Sequence, residues 1–293
     1  PLGNVAQVPD EEGYILNQRA VAFKTDNSKT CNDFLAQLLR SPLVQARLNA
    51  NASGGTAKGI GMKEFAKLTA YIPVQVEEQN KIGKFLSNLD HLITLHQCKL
   101  NHLQDEKKGL LQKMFPKKGE NFPELRFPGF TDPWEQRKLG EVAEIIGGGT
   151  PSTGNPKYWD GDVDWYSPVE IGKQIYVDNS QKKITELGLQ KSSAKILPVG
   201  TVLFTSRAGI GNTAILAKEG CTNQGFQSIV PHKDELDSYF IFSRTHELKQ
   251  YGETNGAGST FMEISGKQMA KMPILIPSME EQDKIGDFFE KLD

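Results

Sequence analysis

Several short segments of the chain carry residue types that could act on a phosphate, a base or a metal ion. Residues 147–151 read Gly-Gly-Gly-Thr-Pro, and the bare backbone amides of glycines can surround an anion. A nucleotide-binding loop also needs a lysine and a Ser or Thr at a fixed offset, and this segment has neither. Pro151 also prevents a helix from starting on the glycines in the usual way. We therefore interpret the segment as a tight exposed loop, one that could equally press against a DNA backbone.

Residues 155–158, Asn-Pro-Lys-Tyr, are close to the Asn-Pro-Pro-Tyr signature with which amino-methyltransferases hold a flipped base. The second proline of that signature is replaced by Lys157, and no Phe-x-Gly-x-Gly cofactor loop after a strand accompanies it. Chance similarity is therefore the favoured interpretation. A stand-alone adenine DNA methyltransferase remains an alternative hypothesis.

Acidic residues cluster directly after this segment, at Asp160, Asp162, Asp164 and Glu170. Carboxylates are ligands for hard cations, but the cluster lacks the spacing of a calcium loop and has no histidine nearby. Three histidines elsewhere stand five and six residues apart, offsets that do not bring pairs to one face of a helix. We predict no metal site and interpret the acidic cluster as a solvated turn.

Arginine and amide side chains offer chemistry suited to DNA. Arg207, in a predicted turn, presents a fork of donors that fits a phosphate or the O6 and N7 atoms of guanine, although a structural ion pair is an equally good interpretation. The Asn-Gln pairs at 17–18 and 223–224 could read adenine, yet their recurrence favours a role in the fold. No nucleophile-base arrangement stands out, so no catalytic residue is predicted. The predicted DNA-binding residues are Thr150, Ser152, Lys157, Lys173, Arg207, Asn212 and Thr260.

One segment of the chain occurs twice, and this repeat must position the loops. Residues 77–85, Glu-Glu-Gln-Asn-Lys-Ile-Gly-Lys-Phe, return 203 positions later as 280–288. An Ile-Pro step, an Ala-Lys pair and an Asn-Gln pair precede each copy. The order predicts two homologous units, each a domain followed by a helix, with a short strand before each Ile-Pro step. The first unit resembles the back half of a domain, so we expect part of a longer protein rather than a natural half-length one.

A long helix is the clearest secondary-structure prediction. From Ile82 to Met114, ten positions alternate steps of four and three, and eight of them are apolar. This heptad seam requires a partner helix, from the same chain or from a second copy. His96 and Lys107, the two polar seam positions, are expected to set its register. The residues predicted to pack in the seam are Ile82, Leu86, Leu89, Ile93, Leu100, Leu103, Leu110 and Met114.

Composition restricts the class of protein. The chain has 293 residues, 38% of them hydrophobic and 24% charged, with a net charge of −2. It contains no run of eighteen apolar residues and no basic-then-apolar leader, so a soluble cytoplasmic protein without a membrane partner is expected. Its three cysteines have no Cys-x-x-Cys spacing, which favours reduced thiols. Binding to DNA would need only a local basic face.

Taken in order, the motifs resemble those of the DNA-specificity subunit of type I restriction-modification systems. The segments that carry the resemblance are 134–143 (Trp-Glu-Gln-Arg-Lys-Leu-Gly-Glu-Val-Ala), 149–152 (Gly-Thr-Pro-Ser), 158–165 (Tyr-Trp-Asp-Gly-Asp-Val-Asp-Trp), 184–189 (Ile-Thr-Glu-Leu-Gly-Leu), 223–226 (Asn-Gln-Gly-Phe) and the doubled Glu-Gln-x-Lys-Ile. The resemblance covers nearly the whole chain.

This resemblance implies a non-catalytic protein with two target recognition domains, each reading half of a bipartite site in double-stranded DNA. Two long antiparallel helices would hold the domains apart. The chemistry would belong to methyltransferase (M) subunits that bind S-adenosylmethionine and to restriction (R) subunits that use ATP and Mg²⁺. This chain would bind no cofactor itself. A coiled-coil scaffold without a nucleic-acid role is a further alternative.

The fold class predicted is α/β (α+β), with target recognition domains that contain a mainly antiparallel sheet and are joined by long helices forming a coiled coil. Predicted strands include residues 142–146, 163–166 and 201–205, which are β-rich runs between turns. The predicted domains are 1–76, the C-terminal part of a first recognition domain; 77–117, the spacer helix; 118–133, a linker; 134–279, the second recognition domain; and 280–293, the start of a second helix.

Overall fold

The computed structural model describes residues 2–8, 13–17, 20–54, 58–207, 209–258 and 262–293. Its internal contacts divide the chain into two units. Unit 1 is Pro1–His102 and unit 2 is Leu103–Asp293, so the division falls within the predicted long helix. That helix, α4, runs from Val76 to Met114, so the predicted long helix is confirmed.

The described residues of unit 1 form three helices before α4. They are α1 (Asn32–Arg40), α2 (Pro42–Ala50) and α3 (Met62–Phe65). Pro42 restarts the helix rather than bending it, because a proline at the first helical position has no N–H to leave unpaired. The hydroxyl of Ser41 caps α2 by accepting the Val44 N–H at 3.5 Å. The buried apolar residues of this helix pair are Phe34, Ala36, Val44 and Leu48.

Unit 2 contains the strands described in the structure. They are β1 (Glu135–Lys138), β2 (Ala143–Gly147), β3 (Trp159–Tyr166), β4 (Tyr176–Val177), β5 (Lys182–Ile184), β6 (Val202–Phe204), β7 (Thr213–Leu216), β8 (Cys221–Thr222), β9 (Gln227–Pro231) and β10 (Pro273–Ile276). The helices after α4 are α5 (Leu139–Val142), α6 (Glu186–Gln190), α7 (Ser238–Ser243), α8 (Thr245–Asn255), α9 (Gly266–Met269) and α10 (Met279–Leu292). No helix of the described residues is long and apolar enough to cross a membrane.

The strands form three sheets in unit 2. A five-stranded sheet has the order β2-β9-β6-β7-β4, a three-stranded sheet the order β5-β3-β8, and β1 pairs with β10. Two pairs, β3 with β8 and β4 with β7, are parallel. The other strand pairs are antiparallel, which confirms the predicted fold class. The main core packs Phe204 and Ile229 of the larger sheet with Phe240 of α7 and Phe289 of α10.

The repeated sequence builds the same junction at the start of α4 and of α10. Gln79 and Gln282 are both about 1% exposed. The side-chain amide of Gln282 donates to the carbonyl of Pro277 at 3.1 Å, and that of Gln79 donates to the carbonyl of Pro73 at 2.8 Å. Each amide also reaches a carbonyl just before the neighbouring helix, α7 or α1. The Ile-Pro step and the Glu-Gln motif are therefore one structural unit, used twice.

The glycine of the repeat lets each long helix approach its neighbour closely. A Cβ at Gly286 would lie 2.6 Å from Oδ1 of Asp237, and one at Gly83 would lie 2.5 Å from the backbone nitrogen of Phe34. Neither position has room for a side chain. The repeat thus specifies a helix-to-helix contact as well as a helix start.

One predicted element is present in only one of the units. A strand precedes the Ile-Pro step in unit 2, where β10 pairs with β1. In unit 1, residues 66–75 include no strand, and Tyr71 is 92% exposed. The prediction for unit 1 was wrong because a strand exists only through its ladder partner. The described residues of unit 1 place no segment opposite this one.

The connector that follows α4 packs firmly within unit 2. The Nε and Nη2 atoms of Arg126 donate to the two carboxylate oxygens of Glu281 at 2.7 and 2.8 Å, and Glu281 is only 1% exposed. The ring of Phe127 meets that of Phe288 edge-on at 5.7 Å. Residues 118–133, predicted as a linker, therefore contribute a buried ion pair and an aromatic contact to α10.

Replacing Arg126 with Ala should destabilise unit 2 strongly, because it leaves the buried carboxylate of Glu281 without its cation. Removing one partner of such a pair typically costs about 3–5 kcal/mol. All three tryptophans of the chain lie in unit 2, so urea unfolding followed by tryptophan fluorescence measures this unit. Lys117→Ala, which removes an exposed pair with Glu124, is the matched control and should leave the midpoint nearly unchanged. Equal urea midpoints for both variants would show that the Arg126–Glu281 pair does not stabilise unit 2.

Candidate nucleic-acid interface

The hairpin between β6 and β7 is held in shape by a buried threonine. The hydroxyl of Thr205 donates to the carbonyl of Gly209 at 2.7 Å and accepts the N–H of Asn212 at 2.9 Å. Gly209 and Gly211 have positive φ angles of 108° and 98°, a conformation that favours glycine. The hairpin therefore presents Arg207 and the exposed Asn212 from a fixed frame.

Arg207 keeps most of its hydrogen-bonding capacity. It forms an isolated antiparallel bridge with Glu263, and its Nη1 lies 4.0 Å from a carboxylate oxygen of that residue. Both side chains are more than a third exposed, and such a pair contributes little. The sequence left open whether Arg207 contacts DNA or forms a structural ion pair. The structure contains the ion pair only in a loose form. The guanidinium remains accessible to a phosphate or a base.

The loop between β8 and β9 divides the Asn-Gln pair into two roles. The side chain of Asn223 accepts the N–H of Gly225 at 2.7 Å, which closes the turn. Gln224 is exposed, and its carbonyl oxygen accepts the hydroxyl of Thr150. The fold role predicted for this pair thus describes Asn223 alone. The earlier Asn-Gln pair includes Gln18, which lies outside the described residues.

The glycine segment 147–151 packs against this loop and does not form an anion site. The Gly149 N–H donates to the carbonyl of Thr222 at 2.8 Å, and the Gly149 carbonyl accepts the indole N–H of Trp165, also at 2.8 Å. A Cβ at Gly148 would lie 2.0 Å from the Asn223 carbonyl oxygen. Glycines are needed here for close backbone packing, and the half-buried Thr150 and the exposed Ser152 follow them along the chain.

The segment around Lys157 is a capped turn. The side chain of Asn155 accepts the Lys157 N–H at 3.1 Å and caps the single-turn 3-10 helix Pro156–Tyr158. The Lys157 carbonyl accepts the hydroxyl of Thr185 at 2.8 Å, while the ammonium-bearing side chain is exposed. In the methyltransferase signature this asparagine would hold a flipped base, but here the Asn155 side chain caps its own turn. The structure therefore does not support the methyltransferase interpretation.

Lys173 lies beside the β6–β7 hairpin. The preceding residue, Gly172, has a φ of 101°, and a Cβ there would lie 3.0 Å from the side chain of Asn212. Thr150, Lys173, Arg207 and Asn212 thus belong to loops that touch one another, directly or through the β8–β9 loop. Ser152 and Lys157 follow Thr150 along the same strand-to-strand connection. Thr260 lies outside the described residues. The DNA contacts themselves remain predictions.

Within the acidic cluster, Asp160 and Asp162 are exposed as the sequence suggested, but Asp164 is not part of a solvated turn. Asp164 is 1% exposed. Its carboxylate accepts the backbone N–H and hydroxyl of Ser180, both at 2.9 Å, and pairs with Lys218 at 3.0 Å and Lys183 at 3.2 Å. Sequence reasoning failed because the three partners come from distant parts of the chain. Among the described residues, no group of three His, Cys, Asp or Glu side chains could hold a metal ion.

Asp164 anchors the three-stranded sheet. Burial alone would raise the pKa of Asp164, but the Ser180 N–H and hydroxyl and the ammonium groups of Lys218 and Lys183 outweigh it and lower the pKa to about 2. The thiol of Cys221 in the adjacent strand donates to the backbone carbonyl of Asp164 at 3.3 Å. Burial, with a smaller effect of Asp164, raises the pKa of this thiol to about 12, so it remains protonated.

Within unit 1, the seam of α4 changes from half-buried to exposed. In unit 1, Ile82 and Leu86 are half-buried, whereas Leu89 is 40% and Ile93 67% exposed. Leu100 is similarly exposed at 49%. Exposed apolar side chains that share one face of a helix usually mark a surface that packs against a partner.

In unit 2, the end of α4 packs against α10. Leu103 is 40% exposed, Leu110 packs against the core, and Met114 is 3% exposed. Lys107 forms an ion pair with Asp293, while Phe115, just after α4, stacks on Phe289 at 6.3 Å. Lys107 comes before Phe115 in the chain, whereas Asp293 comes after Phe289, so the two helix ends run antiparallel. The ion pair is consistent with the register role expected for the seam lysine.

Polar loops fixed on a mixed α/β frame, together with an apolar helix seam, indicate a recognition protein. Residues 1–105 and 131–293 match the family model described as the type I restriction modification DNA specificity domain. The chain belongs to this family.

Individual proteins similar to this chain are also specificity subunits of type I restriction enzymes. The specificity subunit of the type I restriction enzyme MjaIX from Methanocaldococcus jannaschii is 38% identical over 165 residues, 55% of this chain and 38% of that protein. The EcoR124I/EcoR124II specificity subunit from Escherichia coli is 29% identical over 167 residues, 54% of this chain and 41% of that protein. The matches thus span about two fifths of the length of these relatives.

Solved structures show the same fold. The S subunit of a type I restriction-modification system from M. genitalium gives a TM-score of 0.58 at 17% identity, over 89% of this chain and 65% of that one. A chain from a study of complex assembly and conformational transition of the type I R-M system gives 0.54 at 21% identity, over 92% and 65%. At these identities the likeness concerns the fold alone.

Acid should weaken unit 2 through Asp164. Its folded pKa of about 2 lies below the ordinary value of 3.8, so its contribution is fully present above about pH 5 and is lost as the pH falls towards 2. About 2 kcal/mol of the acid loss in the free energy of unfolding should come from this group. Urea titrations monitored by tryptophan fluorescence between pH 5 and pH 2 would measure it.

Asp164→Asn should show a shallower loss over that pH range, from a lower starting stability. Asp162→Asn, which changes an exposed carboxylate of the same strand, is the matched control and should follow the wild type. If the free energy of unfolding falls with pH in parallel for the wild type and Asp164→Asn, Asp164 is not the source of the acid loss.

Proposed function

We propose that this chain is the DNA-reading part of a type I specificity subunit, in which unit 2 reads one half of a bipartite duplex site. The observation that carries the proposal is the group of touching loops that present Thr150, Lys173, Arg207 and Asn212 from a rigid frame. Family membership supports the same conclusion. Unit 1, built on the same repeat, would belong to the reader of the other half-site.

The chemistry of the loops suits both parts of DNA recognition. Lys157, Lys173 and Arg207 offer accessible cations for phosphates, which give affinity without sequence choice. Thr150 and Asn212 offer neutral donors and acceptors, which suit base edges. A net charge of −2 for the whole chain does not oppose this, because the cations are local to the loops.

The exposed seam of α4 supports a spacer role. Leu89, Ile93 and Leu100 are uncovered in this chain, and coiled coils cover such residues with a second helix. We propose that a partner helix covers this row, from a second copy of the chain or from another subunit. A stiff coiled coil of fixed length would then set the distance between two DNA readers.

Bond-making would belong to other subunits. We propose methyltransferase subunits that bind S-adenosylmethionine and restriction subunits that use ATP and Mg²⁺, acting with this chain on DNA in the cytoplasm. A stand-alone methyltransferase is disfavoured by the engagement of Asn155 in its own turn. A scaffold without a nucleic-acid role would not account for the cluster of polar and cationic loops.

Transplanting residues 134–279 from a relative should change one half of the methylated site and leave the other half unchanged. The reason is that the loops of unit 2 lie within this segment, whereas unit 1 does not. Sequencing of modified bases in a host carrying the transplanted gene together with its methyltransferase subunits would give the result. The unaltered gene in the same host is the control. If both halves change, or neither does, the proposal fails.

Charges in the exposed seam should weaken assembly without harming unit 2. Ile93→Asp and Leu100→Asp would place carboxylates where a partner helix packs, and we expect at least a tenfold weaker association. Sedimentation of the full chain, alone and with methyltransferase subunits, would measure it. Asn101→Asp, a neighbouring polar position, is the control. Association that is unaffected by both seam variants would show that the row has another use.

A further inference from the structure

Gln224 is held at the tip of a turn whose backbone is fixed on both sides. The Asn223 N–H donates to the carbonyl of Tyr166 at 3.0 Å, and the Gly225 carbonyl accepts the N–H of Ser206 at 2.8 Å. Phe226, the next residue, is fully buried. The position of Gln224 is therefore set by two sheets at once, although its side chain is exposed.

The amide of Gln224 is oriented but not saturated. The hydroxyl of Thr150 donates to its carbonyl oxygen, which restricts the orientation of the group. A glutamine amide has two acceptor sites and two donors, so one acceptor site and both N–H groups remain. Within the described part of the chain, this side chain has no other hydrogen-bond partner. Such an arrangement suits an external ligand that offers a donor and an acceptor side by side.

An exposed apolar side chain lies on the turn that packs against Gly225, the residue after Gln224. Val169 is 81% exposed and lies in a one-turn 3-10 helix, Pro168–Glu170, that is closed by bonds from Ser167 to Glu170 at 2.8 and 2.6 Å. The ring of Pro168 lies against Gly225, where a Cβ would come within 2.8 Å of it. Val169 and Gln224 therefore flank the same contact between two rigid turns.

We propose that Gln224 and Val169 read an A·T base pair in the major groove, with Thr150 as the positioning residue for the amide. A glutamine amide matches the N6 donor and N7 acceptor of adenine, and an apolar side chain fits the 5-methyl group of thymine. This inference rests on the proposed DNA-reading function and names two residues and one base pair within it. Gln224, first interpreted as part of the fold, thereby becomes a reader.

The test uses the full chain assembled with its methyltransferase subunits and a pool of randomised DNA duplexes, followed by sequencing of the bound fraction. For the wild type we expect one half-site position with a strong preference for A·T. In Gln224→Ala that preference should fall about tenfold or more, with total DNA binding retained within about twofold. Thr150→Val should weaken the A·T preference because it removes the hydroxyl. Thr150→Ser keeps the hydroxyl and should retain the preference.

Val169 is tested by removing the methyl group from the DNA. The wild type should bind a duplex with thymine at the selected position several-fold better than one with deoxyuridine, and Val169→Ala should lose this difference. The matched control for Gln224→Ala is Gln136→Ala, which removes an exposed glutamine of β1 and should leave the A·T preference unchanged. Fluorescence-monitored unfolding of each variant verifies that unit 2 remains folded.

The possible outcomes separate this inference from the proposed function. If the wild type selects a sequence and Gln224→Ala selects the same one, the inference is overturned while the function stands. A loss that is equal for every duplex would assign Gln224 to the phosphate backbone and overturn it as well. If the wild-type complex selects no sequence, the proposed function fails first.

Discussion

The backbone of residues 222–226 is the constraint on which the interface depends. This segment crosses from the three-stranded sheet to the five-stranded sheet, and its peptide groups are bonded to both. Gly149 donates to Thr222, Asn223 donates to Tyr166, and Ser206 donates to Gly225. Buried peptide groups must find such partners, so this crossing has few alternative conformations. The glycine segment, the Pro168 turn and the β6–β7 hairpin are all located by reference to it.

The internal repeat shows how one sequence motif behaves in two surroundings. The side-chain N–H groups of Gln79 and Gln282 donate to equivalent carbonyls, and Gly83 and Gly286 allow the same close approach. Residues on the outer side of the helix behave differently, however. Phe85 is 64% exposed in unit 1, whereas its counterpart Phe288 packs against Phe127 in unit 2. The motif fixes the helix start, and neighbouring segments decide what is buried.

Local patterns predicted the elements well. The helix was predicted from Glu77 and begins at Val76, because a seam repeated over more than four heptads has one interpretation. The strand predicted over 201–205 is β6, Val202–Phe204. The strand expected before Pro73 is missing because the described residues of unit 1 supply no ladder partner for it. The solvated turn expected at Asp164 was wrong because its partners, Ser180, Lys183 and Lys218, are brought together only by the sheet.

The sequence alone determined the duplication, the long helix, the mixed fold and, through ordered motifs, the family. Each of these rests on interactions between residues close in the chain or on whole motifs, which a linear pattern records. The tertiary structure decided which loops meet, that Asn223 closes a turn while Gln224 is presented outward, and that Arg126 neutralises Glu281. These outcomes depend on residues far apart in sequence, and hydrogen-bond geometry and burial exist only once the chain has brought them together.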